Sequence, residues 1–387
     1  MGMDRLNIMT MQQTMDYLNV SRATIDRWRK DKQLPFIKIG KEVLFEKTAI
    51  DEWIRGYSTQ ESHDETTVII GYQSRTAHMW TALLIKELGY FKEELEHFFP
   101  MKGFSIHWHN AASGLELVEL MIKGKVHIAS LGDYPMTICN QLSKLFPEFQ
   151  SVILAFDGKT EKGCGISFVA PKQATIISEQ LFHNPISTVT NSSADVRLLE
   201  LVSAFGQDIR PKVVHQYMDD SLDSIAQQRI GGSVMWEPYP SLLRHYDKGQ
   251  IIIEEVGESD YLTGIVSENS WLQHNEAVTI SYLKAHIRIH QLLRNNPYKA
   301  AQILASCTNL PLQIILQVII KVRWDSTIYG RDIDTLKRFH SQRTNDKSDD
   351  HSFLVKTEYL QMAIDELNLP LLTNSIVNGH WSTDVLY

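Results

Sequence analysis

A chain of 387 residues, 43% hydrophobic and 22% charged, has the composition of a folded protein with room for two or three domains. Its net charge of −8 disfavours non-specific adhesion to nucleic acid, and no run of 18 apolar residues offers a membrane span. Three widely separated cysteines, Cys139, Cys164 and Cys307, cannot form a disulfide framework and suit a reducing compartment. The first residues do not form a charged-then-apolar leader, so a cytoplasmic location is expected.

From the N-terminus, Thr10 is placed to cap a short helix whose Met11, Met15 and Leu18 share one face. Leu18-Asn19-Val20 reads as a tight turn. Ser21 then caps a second helix with Ile25 and Trp28 inward and Arg22, Thr24, Arg27 and Lys30 outward. After Pro35, the run FIKIGKEVLF alternates about Gly40 like a two-stranded wing. A third helix over 46–55 buries Ile50, Trp53 and Ile54. Two short helices about a three-residue turn are the helix-turn-helix layout, in which the second helix enters the major groove.

Residues 8–55 resemble the excisionase-type, MerR-like winged helix-turn-helix family, through the capped helices, the Leu-Pro-x-x-Lys-Ile-Gly run and the closing helix in that order. The resemblance implies binding of a double-stranded DNA operator, with Arg22, Ala23, Thr24 and Arg27 facing the groove and Lys38, Gly40 and Lys41 in the wing. Residues 1–60 hold ten Lys and Arg against eight Asp and Glu, a local +2 on a remainder of −10. One such unit makes few base contacts, so a homodimer on two half-sites is expected.

Residues 1–56 thus form a first domain and the polar residues 57–67 a linker. Short apolar strands then alternate with amphipathic helices. Strands are expected over 68–71, 104–109, 126–131, 152–156, 166–170, 186–190, 212–217, 233–236, 251–256 and 263–267, with helices over 77–88, 115–123, 194–205 and 221–229. The alternation predicts α/β architecture with mainly parallel sheets, and the strand number predicts two lobes. Past Asn269 the pattern is helical, over 277–293, 297–305 and 312–322. A polar break follows at 341–352, then a last amphipathic helix over 353–367.

Ligands of open α/β sheets bind beyond the C-terminal strand ends, where helix N-termini present free N–H groups. Here those ends carry Gly71-Tyr72-Gln73-Ser74-Arg75, Asn110-Ala111-Ala112-Ser113-Gly114, Gly132-Asp133-Tyr134-Pro135, Asn191-Ser192-Ser193 and Trp236-Glu237-Pro238-Tyr239. Each serine equally suits a helix cap, and Gly132–Pro135 equally suits a plain turn. From Thr67 to Arg338 the chain resembles the periplasmic solute-binding proteins of sulfonate, taurine and nitrate uptake, a family that includes pyrimidine-precursor binders. GYQ at the first strand, ELGYF after the first helix, and the GDYP and WEPY turns carry that resemblance.

It implies a two-lobe, type II periplasmic-binding-protein-like domain over 68–340, with one lobe near 68–157 and 260–340 and the other near 164–256. Ligand would lie between the lobes against Tyr72, Gln73, Ser74, Ser113, Gly114, Asp133, Tyr134, Ser192, Ser193, Trp236 and Glu237. The expected protein is a cytoplasmic regulator responding to a small-molecule effector, an anion or zwitterion of the sulfonate, taurine or nitrate type or a pyrimidine precursor. The competing reading is an enzyme of the desulfinase or thiamin-pyrimidine-precursor type with an accessory DNA-binding head. Against it, no thiol stands at the first strand end. His78 near Arg75 is the one acid/base candidate, and a surface position is expected for it. His107 and His109 alternate on a strand without helical partners, so neither a metal site nor a cofactor is expected.

Overall fold

The computed structural model describes residues 8–40, 42–59, 66–100, 102–174, 183–206, 210–344, 352–372 and 376–387. The N-terminal unit begins with strand β1 (Ile8–Thr10). Thr10 ends it and caps α1 (Met11–Leu18): its hydroxyl accepts from Gln13 N, while Gln13 Oε1 accepts from Thr10 N. Asn19, left-handed at φ 52°, stops that helix. Ser21 caps α2 (Arg22–Asp31) through a 3.2 Å bond from Thr24 N. The wing follows as β2 (Ile37–Ile39) and β3 (Glu42–Glu46), joined through Gly40 at φ 61°, and α3 (Lys47–Thr59) closes the unit. Beyond the expected two-stranded wing, β1 pairs with β3 as a third strand. Ile25, Leu34, Phe45 and Ile50 form the core, with Trp28 and Trp53 rings 5.7 Å apart.

The body continues with β4 (Thr66–Tyr72), a 3-10 turn at Ala77–Met79, α4 (Trp80–Leu88), α5 (Tyr90–Phe98), β5 (Phe104–Asn110), α6 (Gly114–Ile122), β6 (Ile128–Gly132), α7 (Asp133–Leu145) and β7 (Ser151–Thr160). The second lobe comprises β8 (Ile166–Pro171), β9 (Ile186–Thr188), α8 (Ser193–Phe205), β10 (Val213–His215), α9 (Met218–Ala226), β11 (Gly232–Trp236), α10 (Tyr239–His245) and β12 (Gly249–Ile253). The chain returns through β13 (Tyr261–Glu268), α11 (Asn269–His274), α12 (Glu276–Asn295), α13 (Pro297–Thr308), α14 (Leu312–Ile319), β14 (Arg323–Trp324), α15 (Gly330–Thr344) and α16 (Glu358–Glu366).

The first lobe is a six-stranded sheet ordered β14-β7-β13-β6-β4-β5, and the second a five-stranded sheet ordered β10-β9-β11-β8-β12. The expectation of mainly parallel sheets is corrected. Among the strands of the described residues, only β4 with β5 and β6, and β9 with β10 and β11, pair in parallel. The chain leaves the first sheet through β7 and returns through β13, so these strands and β8 run antiparallel to their neighbours. Both crossings are clamped by Arg331, which binds Asp260 at 2.6 Å and Glu161 at 3.0 Å. The C-terminal segment packs on the first lobe. Val355 bridges Ile153, α16 lies on α12, and the Tyr387 carbonyl accepts from Ser326 N and Arg294.

Candidate interlobe cleft and DNA-reading helix

The groove face predicted for α2 is divided. Arg22 and Ala23 are exposed, the Arg22 side chain by 74%. Thr24 is buried and donates to Glu366 Oε1 at 3.4 Å. Arg27 is ion-paired with Glu276 at 3.2 Å, the two side chains 15% and 35% exposed. Trp28 meets Phe98 edge-on, with centroids 6.5 Å apart. An open groove face of Arg22, Ala23, Thr24 and Arg27 is therefore corrected: in this arrangement half of it is docked on α5, α12 and α16. The cause is the cluster of Glu276, Glu366 and Phe98, brought together by helices far apart in sequence. A cavity of about 390 Å³ lies along this junction, lined by residues including Asn19, Ser21, His97, Lys284 and Asp365. In the wing, Lys38 is exposed and Gly40 supplies the turn; Lys41 lies outside the described residues.

Between the lobes, Asp133 at the start of α7 faces Arg197 of α8. Their side chains are wholly buried, with Nη2–Oδ2 at 2.9 Å and Nη1–Oδ1 at 3.4 Å. The guanidinium also donates to the Ser193 and Asp260 carbonyls and lies beside the Tyr261 and Phe339 rings. A buried pair survives only when its remaining hydrogen-bonding capacity is met, and these carbonyls meet most of it. Residue-type reasoning missed Arg197. Its signal was a basic residue one turn after the Ser192-Ser193 helix start.

Around this pair the lobes are in contact. Ser193 Oγ stands 2.8 Å from where a Gly132 side chain would begin, Trp236 Nε1 donates to the Arg75 carbonyl at 3.2 Å, and Ala77 N donates to the Glu237 carbonyl at 2.9 Å. Tyr134 is buried beside Val196 and Phe339. Gly114 permits close approach of α6 and α7, because a Cβ there would lie 2.5 Å from Pro135, and Gln73 is buried at its edge.

Other expected cleft residues are engaged elsewhere. Tyr72 points into the first lobe's core with Val68 and Ile70, its ring edge-on to Trp108; strand alternation puts these three on one face. Its placement in the cleft is corrected. Ser113 and Ser192 accept from Glu116 N and Asp195 N as helix caps. The Glu237 carboxylate accepts from Ser241 N and Ser241 Oγ, and burial raises its pKa. Ser74 is half-exposed and held by Asn110.

His78 is buried, against the expected surface position. Its Nε2 lies 3.1 Å from Thr160 Oγ1 and its ring is 4.3 Å from Tyr261, beside the hinge. Burial pushes its pKa down to about 3.

Residues 8–58 match the family described as a helix-turn-helix domain. No curated protein matches the chain. Among solved structures, the alkanesulfonate-binding protein SsuA of Xanthomonas axonopodis pv. citri, bound to MOPS, aligns at TM-score 0.59 and 15% identity, covering 73% of this chain and 96% of its own. The periplasmic nitrate-binding protein NrtA of Synechocystis PCC 6803 aligns at TM-score 0.62 and 13% identity, covering 81% and 92%. A Candida albicans gene product described as having the generic periplasmic binding protein fold aligns at TM-score 0.55 and 14% identity, covering 82% and 99%. The chain therefore joins a helix-turn-helix domain to a body with the periplasmic-binding-protein fold.

Proposed function

We propose that this protein is a cytoplasmic, ligand-responsive transcription regulator. It binds an operator as a homodimer through its helix-turn-helix units and a small polar metabolite between the lobes of its body. The observation that carries this reading is the docking of α2 on that body through Thr24, Arg27 and Trp28. A duplex cannot reach Thr24 or Arg27 while they are held there, so DNA binding and the state of the body are coupled through α12 and α16.

The Asp133–Arg197 pair supports the chemistry of the effector. A sulfonate, carboxylate or nitrate suits a guanidinium fork, and a zwitterion such as taurine also offers an ammonium group to Asp133. Opening the lobes exchanges the internal pair for pairs with ligand, and the differential affinity drives the movement. The neighbours named as alkanesulfonate- and nitrate-binding proteins make those anions the first effectors to try.

Gel shifts on the gene's own upstream DNA test the proposal, with taurine, an alkanesulfonate, nitrate or a pyrimidine precursor added in turn. One effector should change the DNA dissociation constant, and Arg22→Ala should weaken binding by ~1–3 kcal/mol if that side chain reads a base edge. DNA affinity that no candidate alters, despite ligand binding seen by thermal shift, would separate the two domains functionally and refute the coupling.

A further inference from the structure

Away from the cleft, three chemistry-bearing side chains converge in the buried interior of the first lobe. His286 and His290 stand one turn apart on α12, and Asp157 projects from β7; all three are wholly buried. The two Nε2 atoms approach one carboxylate oxygen, Asp157 Oδ1, at 3.7 and 3.3 Å. On the far side of the rings, one hydroxyl, Ser326 Oγ, lies 3.1 Å from His286 Nδ1 and 3.0 Å from His290 Nδ1. Asp157 Oδ2 accepts from Ser130 Oγ at 3.1 Å, which leaves Oδ1 for the imidazoles.

Proton counting leaves one imidazole nitrogen of this cluster unpaired beside the carboxylate. Two neutral imidazoles and one serine bring three protons, which meet the three contacts at hydrogen-bond distance, two at Ser326 and one between His290 Nε2 and Asp157 Oδ1, and leave none for His286 Nε2, 3.7 Å from that same oxygen. If both rings carry hydrogen on Nδ1, both Nε2 lone pairs face an anionic oxygen. If both carry it on Nε2, Ser326 can donate to only one Nδ1. A mixed pair leaves one Nε2 lone pair against the carboxylate. Consistent with this, His286 Nε2 is buried without a hydrogen-bond partner. A second orphan, the Tyr282 hydroxyl, lies one turn earlier on the same helix.

We propose that Asp157, His286 and His290 form a binding site for a divalent transition metal of the zinc class. With a metal present every contact is satisfied: both Nδ1–H groups donate to the two lone pairs of Ser326 Oγ, and both Nε2 atoms and Oδ1 turn to the ion. Ligands about 2.0–2.2 Å from a tetrahedral zinc lie about 3.3–3.6 Å from one another, and the two imidazole–carboxylate separations here are 3.3 and 3.7 Å. Two imidazoles and a carboxylate favour zinc or its first-row neighbours over magnesium or calcium, which prefer all-oxygen sites. Ser326 is then the second-sphere partner that fixes both ring orientations.

The ion would tie β7, which runs into the hinge, to α12, which carries Glu276 and Lys284 at the junction with the DNA-reading unit.

The test uses the full-length protein produced in zinc-supplemented medium, and separately loaded with Co(II) alone. About one metal per chain is expected by elemental analysis, together with the visible ligand-field bands of a low-coordinate cobalt site and a melting temperature that falls on chelation. The pair His286→Asn/His290→Gln should lose the metal, while His107→Ala/His109→Ala, on edge strand β5, should keep it. Ser326→Ala leaves all three ligands and should weaken affinity about 10–100-fold; it decides the matter if the histidine variant does not fold. Metal-free wild-type protein without cobalt bands, or stoichiometric binding that Ser326→Ala does not weaken, would overturn the site and leave a fourth proton as the partner of the unpaired nitrogen.

Discussion

Arg27, in the helix that resembles a DNA-reading element, is ion-paired at 3.2 Å with Glu276, the first residue of α12 in the solute-binding-like body. A residue suited to phosphate or guanine thus has a carboxylate in its place. Glu366 does the same for Thr24. Under the proposed function, the two carboxylates occupy part of the surface that DNA would take, and the contact would act as a lock on the recognition helix.

Removing the lock should raise DNA affinity. Glu276→Ala/Glu366→Ala deletes the partly exposed Arg27 ion pair and the part-buried Thr24 hydrogen bond, together worth about 1–2 kcal/mol, so a gain of about five- to thirtyfold is expected in a gel shift without effector. Unchanged affinity in the double variant would mean that Trp28 on Phe98 holds the helix by itself.

Arg197 should prove the most stability-sensitive residue at the seam. Arg197→Ala leaves the Asp133 carboxylate buried without its cation, and breaking such a pair costs ~3–5 kcal/mol. Urea unfolding checks the magnitude. Asp133→Ala/Arg197→Ala should cost clearly less than the sum of the two single variants, because neither charge is left alone.

Ser192 tests the division between helix caps and ligand contacts. As the cap of α8, Ser192→Ala should lower stability by ~1 kcal/mol and leave the effector dissociation constant unchanged by calorimetry. A variant of wild-type stability with weakened effector binding would return Ser192 to the cleft.

Acid sensitivity should originate partly at His78. Its folded pKa of about 3 lies below the unfolded value of about 6.5, so between these pH values the unfolded chain binds a proton that the native state refuses. Stability present above pH 6.5 is lost as pH falls towards 3, with His78 contributing a slope of about one proton. Urea midpoints measured from pH 7 to 4 for wild type and His78→Gln check this; an identical pH slope in the variant would assign the sensitivity to other groups.

Local chemistry made much of this protein legible in its sequence. Thr10, Ser21 and Gly40 act through neighbours within four residues, so the caps and wing turn of the DNA-reading unit follow from spacing. Most of the body's strands and several of its helices were readable for the same reason, since a period of 2 or 3.6 is a property of the chain itself; α5, α7, α10 and α15 were not read. The serine caps at Ser113 and Ser192 were equally visible, though not separable from ligand contacts by sequence.

Tertiary structure decided what depended on residues distant in the chain. The face taken by Tyr72 required knowing which side of β4 met the first lobe's core. Arg197 reaches Asp133 across 64 residues, and Asp157 meets His286 and His290 across more than a hundred. The spacing of His286 and His290 is visible in the sequence, but their carboxylate is not, because only the sheet brings β7 beneath α12. Arg27 shows the limit most clearly. An amphipathic pattern fixes that this side chain points outward from its helix, while the partner waiting outside is determined by how two domains pack, and periodicity within one helix carries no record of that.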